Sequence, residues 1–241
     1  MSEARLHWIQ DGDPAESFPA VEKALQEPNG LLAAGGDLDP DRLLAAYRRG
    51  IFPWFGADQP ILWWCPDPRA VLLPEEFRPS RSLRRRLRSG EYRVSVDQAF
   101  AEVIALCAQT REQSGTWITP AMIAAYTTLH QRGIAHSIEV WAHEELAGGL
   151  YGINLGGVFF GESMVSLRTD ASKVATAKLV ALALGTGIAM IDCQVPNDHL
   201  ASLGSRSIAR TTFLKRLTQL VDEAPVTRVK AAAPESTATL A

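Results

Sequence analysis

The chain has 241 residues, 46% of them hydrophobic, and a formal net charge of -3 at pH 7. That is enough apolar material for one sizeable core and a smaller second one, while no apolar stretch approaches the roughly 20 residues of a membrane-spanning helix. The negative balance argues against nucleic-acid binding over the whole surface, and Met1 to Asp11, with Glu3, Arg5 and His7, lacks the apolar centre of a secretory signal, so a cytoplasmic protein is expected.

The first element is a helix with Asp39 as N-cap and Pro40 at its first position; Leu43, Leu44 and Tyr47 follow at helical spacing, and Gly50 closes it. Ile51 to Phe55 and Ile61 to Pro66 read as short strands around a turn, since the prolines at 53, 60, 66, 68 and 74 exclude one long helix. Pro66-Asp67-Pro68 interrupts the pattern and marks a boundary near residues 66–74. Arg78, Arg81, Arg84, Arg85, Arg86 and Arg88 then occur with no acid among them. Such a run is either a solvated helix face or a phosphate-binding surface, and arginine favours the second because its planar fork binds phosphate oxygens in pairs.

Val96 to Cys107 reads as a helix, and another starts at Thr119-Pro120 and carries Met122, Ile123, Tyr126 and Leu129 to Gly133. His136 to Trp141, Leu146 to Asn154 and Gly157 to Ser166 alternate as three successive strands. Asp170 is expected to cap an alanine-rich helix that ends at Gly185-Thr186-Gly187; Ile188 to Gln194 then re-enters the sheet and a last helix follows. This order predicts an α+β protein, a mixed sheet with helices packed on it. From about Asp222 the chain is rich in Ala, Pro, Ser and Thr without periodicity, so residues 222–241 are expected to be disordered.

Phe159 to Ser166 and Ile191 to His199 place polar groups in otherwise apolar, strand-like runs. Regular strands would put Phe160, Glu162 and Met164 on one face, and Met190, Asp192 and Gln194 on one face. Buried ionisable groups are costly unless paired or used, so Glu162 and Asp192 are either hydrogen-bonded core carboxylates or site residues. Cys65, Cys107 and Cys193 are odd in number and widely spaced, which predicts reduced, buried thiols. Cys193, Asp198 and His199 lack ligand spacing, and neither a strand-glycine-helix dinucleotide turn nor a GxxxxGK loop occurs, so neither metal nor nucleotide cofactor is expected. The absence of heptads and of an exposed apolar stripe favours a monomer.

Eight strings in order carry a family resemblance: Asn29 to Ala33 with Gly35 to Leu38, Arg49 to Trp54, Trp63 to Arg69, Gly115 to Thr119, His136 to Trp141, Gly148 to Gly152, Phe160 to Met164, and Ile191 to Gln194. Together, over about residues 29–217, they resemble the leucyl/phenylalanyl-tRNA-protein transferases. Val165, where an aromatic is expected, and Leu167, where a base is expected, depart from the pattern. The resemblance implies transfer of leucine, or less efficiently phenylalanine or methionine, from aminoacyl-tRNA to the α-amino group of proteins beginning with Arg or Lys, in the bacterial N-end rule pathway. It also implies a small N-terminal domain over about residues 1–70 and an acyl-CoA N-acyltransferase-like fold for the larger domain, residues 71–221.

An aminoacyl ester is already activated, so the reaction needs position, a proton acceptor and charge stabilisation. Asp192 is the candidate acceptor, with Gln194 about 6.6 Å further along the strand to orient the amine or relay its proton. The resemblance adds Glu162 to the site. It also implies that Leu150, Phe159, Met164, Thr176 and Leu179 line the aminoacyl pocket and that Trp54 and Trp117 stack near the terminal adenosine; core packing is the alternative for each. Arg81, Arg84, Arg85, Arg86 and Arg88 would hold the acceptor stem through its phosphates. Two other classes compete. An acyl-CoA transferase would need a glycine-rich turn at a helix start, where this chain has Arg168-Thr169-Asp170-Ala171-Ser172; a non-catalytic RNA-binding module leaves Glu162, Asp192 and Gln194 unexplained.

Overall fold

A computed structural model describes residues 6–110, 117–223 and 229–240. In chain order the elements are β1 (His7–Ile9), β2 (Leu31–Gly35), α1 (Pro40–Arg48), β3 (Phe52–Pro53), β4 (Leu62–Trp64), β5 (Arg69–Leu72), α2 (Arg81–Arg88), β6 (Arg93–Val96), α3 (Phe100–Gln109) and α4 (Pro120–Gln131). There follow β7 (Ala135–Ala142), β8 (Glu145–Leu155), β9 (Val158–Ser166), α5 (Ala171–Thr186), β10 (Met190–Gln194), α6 (Asp198–Ala201), β11 (Arg206–Ile208), α7 (Arg210–Leu220) and β12 (Ala232–Ser236).

The strands form two mixed sheets, a four-stranded one ordered β1-β2-β4-β3 and an eight-stranded one ordered β11-β5-β10-β9-β8-β7-β6-β12. With helices packed against them this is the expected α+β class. Within the larger sheet β9 and β10 are parallel neighbours, which requires a crossover, and α5 supplies it. One face packs Tyr151, Phe160 and Met190 against α3, α4 and the N-terminal segment; the other packs Leu150, Phe159 and Ile191 against α5 and α2.

Local signals account for the helix starts. The side chains of Asp39 and Thr119 accept the backbone N–H groups of Asp41 and Met122, with Pro40 and Pro120 next in line. Asp170 differs from expectation. It stands at the start of α5 with φ 63° and makes no capping bond; its carboxylate pairs with Lys173 at 3.1 Å instead. Val96 ends a strand rather than beginning a helix, because the Arg93 to Val96 alternation pairs with β7. The expected disorder of the C-terminal tail also fails for its last described part: β12 pairs antiparallel with β6, and Thr237–Leu240 closes as a 3-10 turn. Pairing with a strand more than a hundred residues earlier leaves no periodicity to read in the tail itself.

Two bulges shape the centre of the sheet. Tyr151 pairs with Ser163 but Gly152 pairs with Gly161, so Glu162 is an extra residue in β9. A side chain at Gly152 would run into the Phe160 carbonyl oxygen, since a Cβ there would lie 2.2 Å away. The shift turns Met164 to the α5 side while Phe160 and Glu162 face α4, so the three do not share a face as regular alternation predicts. In β10, Asp192 pairs with Val71 but Gln194 pairs with Ala70, and Gln194 takes φ 63°.

Candidate active site

Strands β9 and β10 pair only through Met190↔Val158, Ile191↔Phe159 and Asp192↔Phe160. Beyond that point β9 continues alone beside β8 while Gln194 follows β5, and the sheet opens. A cavity of about 1640 Å³ occupies the opening. Its lining includes Trp54, Trp117 and Glu162 from one side of the sheet and Leu150, Thr176 and Leu179 from the other, so it passes through the sheet plane. This exceeds the roughly 300–1,000 Å³ of most small-molecule pockets and leaves room for more than one group.

The polar groups converge at the gap. Glu162 is buried; its Oε2 accepts the Tyr126 hydroxyl at 2.8 Å and its Oε1 accepts the Gln194 side-chain amide at 3.1 Å. The Tyr126 and Tyr47 hydroxyls lie 2.5 Å apart, linking α4 to α1. Burial pushes the Glu162 carboxyl up from its ordinary 4.5 to about 7, against the opposing pull of the Tyr47 and Tyr126 hydroxyls. Burial, then the neighbouring Glu162 charge, raises both tyrosines well above their usual value, so they act as donors.

Asp192 lies deeper. Its carboxylate is fully buried and bonded by Arg69, Nε to Oδ1 at 2.8 Å and Nη2 to Oδ2 at 2.6 Å. Oδ1 also accepts the Gln194 backbone N–H at 2.9 Å. The Arg69 guanidinium lies between the rings of Phe52 and Phe213, 4.7 and 4.6 Å from their centroids. Both carboxylates accept hydrogen bonds at both oxygens, but Asp192 is bound to a buried cation while Glu162 accepts from the neutral Tyr126 and Gln194 side chains. Asp192 thus joins Arg69 on one side to the Gln194 backbone on the other. Arg69, Tyr47 and Tyr126 were not singled out by sequence reasoning. An arginine in an otherwise buried strand was the available signal for Arg69, whereas the tyrosines were indistinguishable from helix core residues.

Leu150, Met164, Thr176 and Leu179 line the apolar part of the cavity, and the Thr176 hydroxyl is satisfied by the Ser172 carbonyl at 3.0 Å. Phe159 does not line it; that ring is fully buried between sheet and α5, because its place in the register is one short of the opening. Leu72, Ile191 and Cys193 contribute instead. All three cysteines are free and buried, as expected. Trp54 and Trp117 stand at the cavity, Trp54 well exposed beside Trp64 and Trp117 packed partly against the core. Gly115 and Thr116 of the Trp117 motif lie outside the described residues.

The arginine run forms α2, away from the cavity. Leu83 and Leu87 face the core, leaving Arg81, Arg84, Arg85 and Arg88 exposed and, among the described residues, without an ion pair. Arg86 differs: it pairs with Glu91 and lies over Tyr92.

Comparison with known proteins adds a family. Residues 71–218 match the model described as leucyl/phenylalanyl-tRNA protein transferase, and residues 36–67 match the one described as its N-terminal domain. The chain belongs to this family. Relatives named leucyl/phenylalanyl-tRNA--protein transferase include one from Chromohalobacter salexigens, 62% identical over 211 residues, covering 87% of this chain and 82% of the relative. One from Stutzerimonas stutzeri is 57% identical over 218 residues, 90% of this chain and 96% of the relative. One from Nitrosomonas europaea is 57% identical over 204 residues, 84% and 86% of the two chains. Of the transferase's two matched segments, the N-terminal one contributes Tyr47 and Trp54 to the site, and the larger one contributes Tyr126, Glu162, Asp192 and Gln194.

Proposed function

We propose that this chain transfers leucine or phenylalanine, and also methionine, from aminoacyl-tRNA to the α-amino group of proteins with an N-terminal Arg or Lys. It is an aminoacyltransferase, and its product carries an N-end rule degradation signal. The observation that carries the reading is the opening between β9 and β10, where an apolar pocket and a carboxyl near neutrality meet across one gap.

The amino-acid side chain fits the apolar part under Leu150, Met164, Thr176 and Leu179, which sets the ester at the gap. Trp54 and Trp117 stack with the terminal adenosine, and the exposed arginines of α2 hold stem phosphates. The acceptor amine, with a pKa of about 7.7–8.0, arrives partly neutral. As its nitrogen bonds to the ester carbonyl carbon, Glu162 takes the amine proton; as the ribose oxygen leaves, the proton is returned to it. Gln194 orients the amine beside that carboxyl, and Asp192 with Arg69 holds Gln194. In this proposal Glu162, whose carboxyl lies near neutrality, rather than the Arg69-paired Asp192, accepts the proton.

The parallel pair that splays beside a crossover helix supports an acyl-CoA N-acyltransferase-like architecture for residues 71–221, with residues 1–70 as a small domain carrying Tyr47 and Trp54. No helix among the described residues is long and apolar enough to cross a membrane, and a cytoplasmic location fits an enzyme that draws on aminoacyl-tRNA. The test is an incubation with labelled leucyl-tRNA and a peptide with N-terminal Arg. Leucine linked to the peptide is the expected product; none, with tRNA binding intact, removes the reading.

A further inference from the structure

The arginine helix is poorly equipped to hold its own shape. It has eight residues, fewer than the roughly 12–15 that an isolated helix needs, and Arg81 faces Arg85 as Arg84 faces Arg88 at a spacing where like charges repel. Ser80 caps its start, and Leu83 and Leu87 anchor one side. Its last turn still needs partners for its carbonyls. One comes from the far end of the chain: the hydroxyl of Thr237, which is fully buried, donates to the Leu87 carbonyl at 2.8 Å.

Thr237 is held in turn. Its backbone follows β12, which pairs with β6 through Ala232↔Val96, Glu235↔Val94 and Ser236↔Arg93, and Arg93 Nη2 donates to the Pro234 carbonyl at 2.7 Å. Glu235 pairs with Lys178 on α5. Val229 is buried in the core cluster that includes Leu83 and Leu87, and Leu240 packs against it. The segment thus joins α2 to both β6 and α5, and it lies beyond residue 218, where the family match ends.

We propose that Val229 to Leu240 is a clamp that sets the arginine helix in the pose that binds tRNA, with Thr237 as its positioning residue. The proposal rests on the reading of α2 as a phosphate-binding surface. A rigid helix presents its arginines at fixed spacing to successive phosphates, whereas a frayed last turn must be ordered on binding and lowers affinity.

Thr237→Val in the full chain keeps the shape and removes the donor. Amide hydrogens of residues 81–88 should exchange faster, and KM for leucyl-tRNA should rise about 3- to 5-fold, the effect of one lost hydrogen bond. KM and kcat with leucyl-adenosine, which has no stem, should stay unchanged, and Thr237→Ser should restore both quantities. Glu235→Gln loosens the exposed tie to Lys178 without touching the core, and it should give a smaller rise in the same KM. Faster exchange with no change in KM for tRNA overturns the clamp, as does an equal loss with both donors in both variants. Arg84→Ala with Arg85→Ala tests the reading beneath: an unchanged KM for tRNA there dismisses α2 as a tRNA site, while a raised KM there beside unaffected Thr237 and Glu235 variants removes the clamp alone.

Discussion

Gln194 donates its side-chain amide to Glu162 at 3.1 Å across the gap between β9 and β10. The same residue is fixed from below, where Asp192 accepts its backbone N–H at 2.9 Å and helps hold a positive φ of 63°. Such a conformation costs on the order of 1–3 kcal/mol and persists only where its surroundings impose it. The strain places an amide beside a buried carboxyl where β9 and β10 cease to pair.

If Glu162 accepts the proton, turnover at saturating donor should rise with pH through about 7, and Glu162→Gln should abolish that limb. Stability should run the other way. Between 4.5 and about 7 the native state keeps a proton that the unfolded chain releases, so wild-type stability should fall as pH rises through that window. Relative to Glu162→Gln the fall should reach about 3 kcal/mol. Urea midpoints of both proteins at pH 5 and pH 8 measure it; parallel changes would show that Glu162 does not titrate in this range.

Tyr126→Phe removes the donor to Glu162 Oε2 and leaves a charge there less favourable. The limb assigned to Glu162 should move up by about one pH unit, with KM for tRNA unchanged. Combined with Glu162→Gln, the substitution should have little further effect on turnover, since it acts through that carboxyl; full additivity would sever the link.

Asp192→Asn should first be a stability variant. It leaves the Arg69 charge buried without its counter-charge, a loss of about 3–5 kcal/mol that denaturant titration would register. Replacing both residues by Met and Leu should recover much of the stability, because the desolvation of both charges disappears with them, yet leave turnover low, since Gln194 has lost its support. Wild-type turnover in that double variant would exclude a supporting role.

Much of this fold is written in local signals. Asp39-Pro40 and Thr119-Pro120 open helices where their side chains cap them, and the alternation from His136 to Ser166 becomes the β7-β8-β9 meander. The site was legible only as a set of residue types. Bulges at Glu162 and Gln194 break the period of two on which face assignment depends, so Met164 changes sides and Gln194 turns to Glu162. The ion pair of Asp192 was not legible because its partner, Arg69, lies 123 residues earlier in a short strand between prolines. Tyr47 and Tyr126 occupy ordinary core positions of helices, and only tertiary packing joins their hydroxyls to Glu162.

For α2, the exposed Arg81, Arg84, Arg85 and Arg88 predict a salt-dependent term in tRNA affinity. Log affinity should fall against log salt with a slope of roughly 0.7–0.9 per phosphate contact, and replacing Arg84 and Arg85 by alanine should reduce that slope by about 1 to 2. Arg86→Ala should contribute less, because Glu91 already engages its guanidinium. A slope that the double substitution leaves unchanged would return the run to a solvated helix face.

Trp54 separates the hold on the terminal nucleoside from the hold on the stem. The residue is 44% exposed and stands at the cavity, and its carbonyl accepts the Trp64 indole N–H at 2.6 Å, so the backbone is fixed while the side chain remains available. Trp54→Ala should therefore cost little stability. Base stacking on an aromatic ring contributes about 1–3 kcal/mol, so KM should rise about 5- to 150-fold. The rise should be the same for leucyl-tRNA and leucyl-adenosine, because the nucleoside is common to both, and it should be nearly independent of salt. Trp117→Ala is the less clean experiment, since that ring also packs against the core and its removal would lower the melting temperature as well. A Trp54→Ala protein that binds leucyl-adenosine normally but leucyl-tRNA weakly would place the indole against the stem or the single-stranded end above it, not on the terminal base.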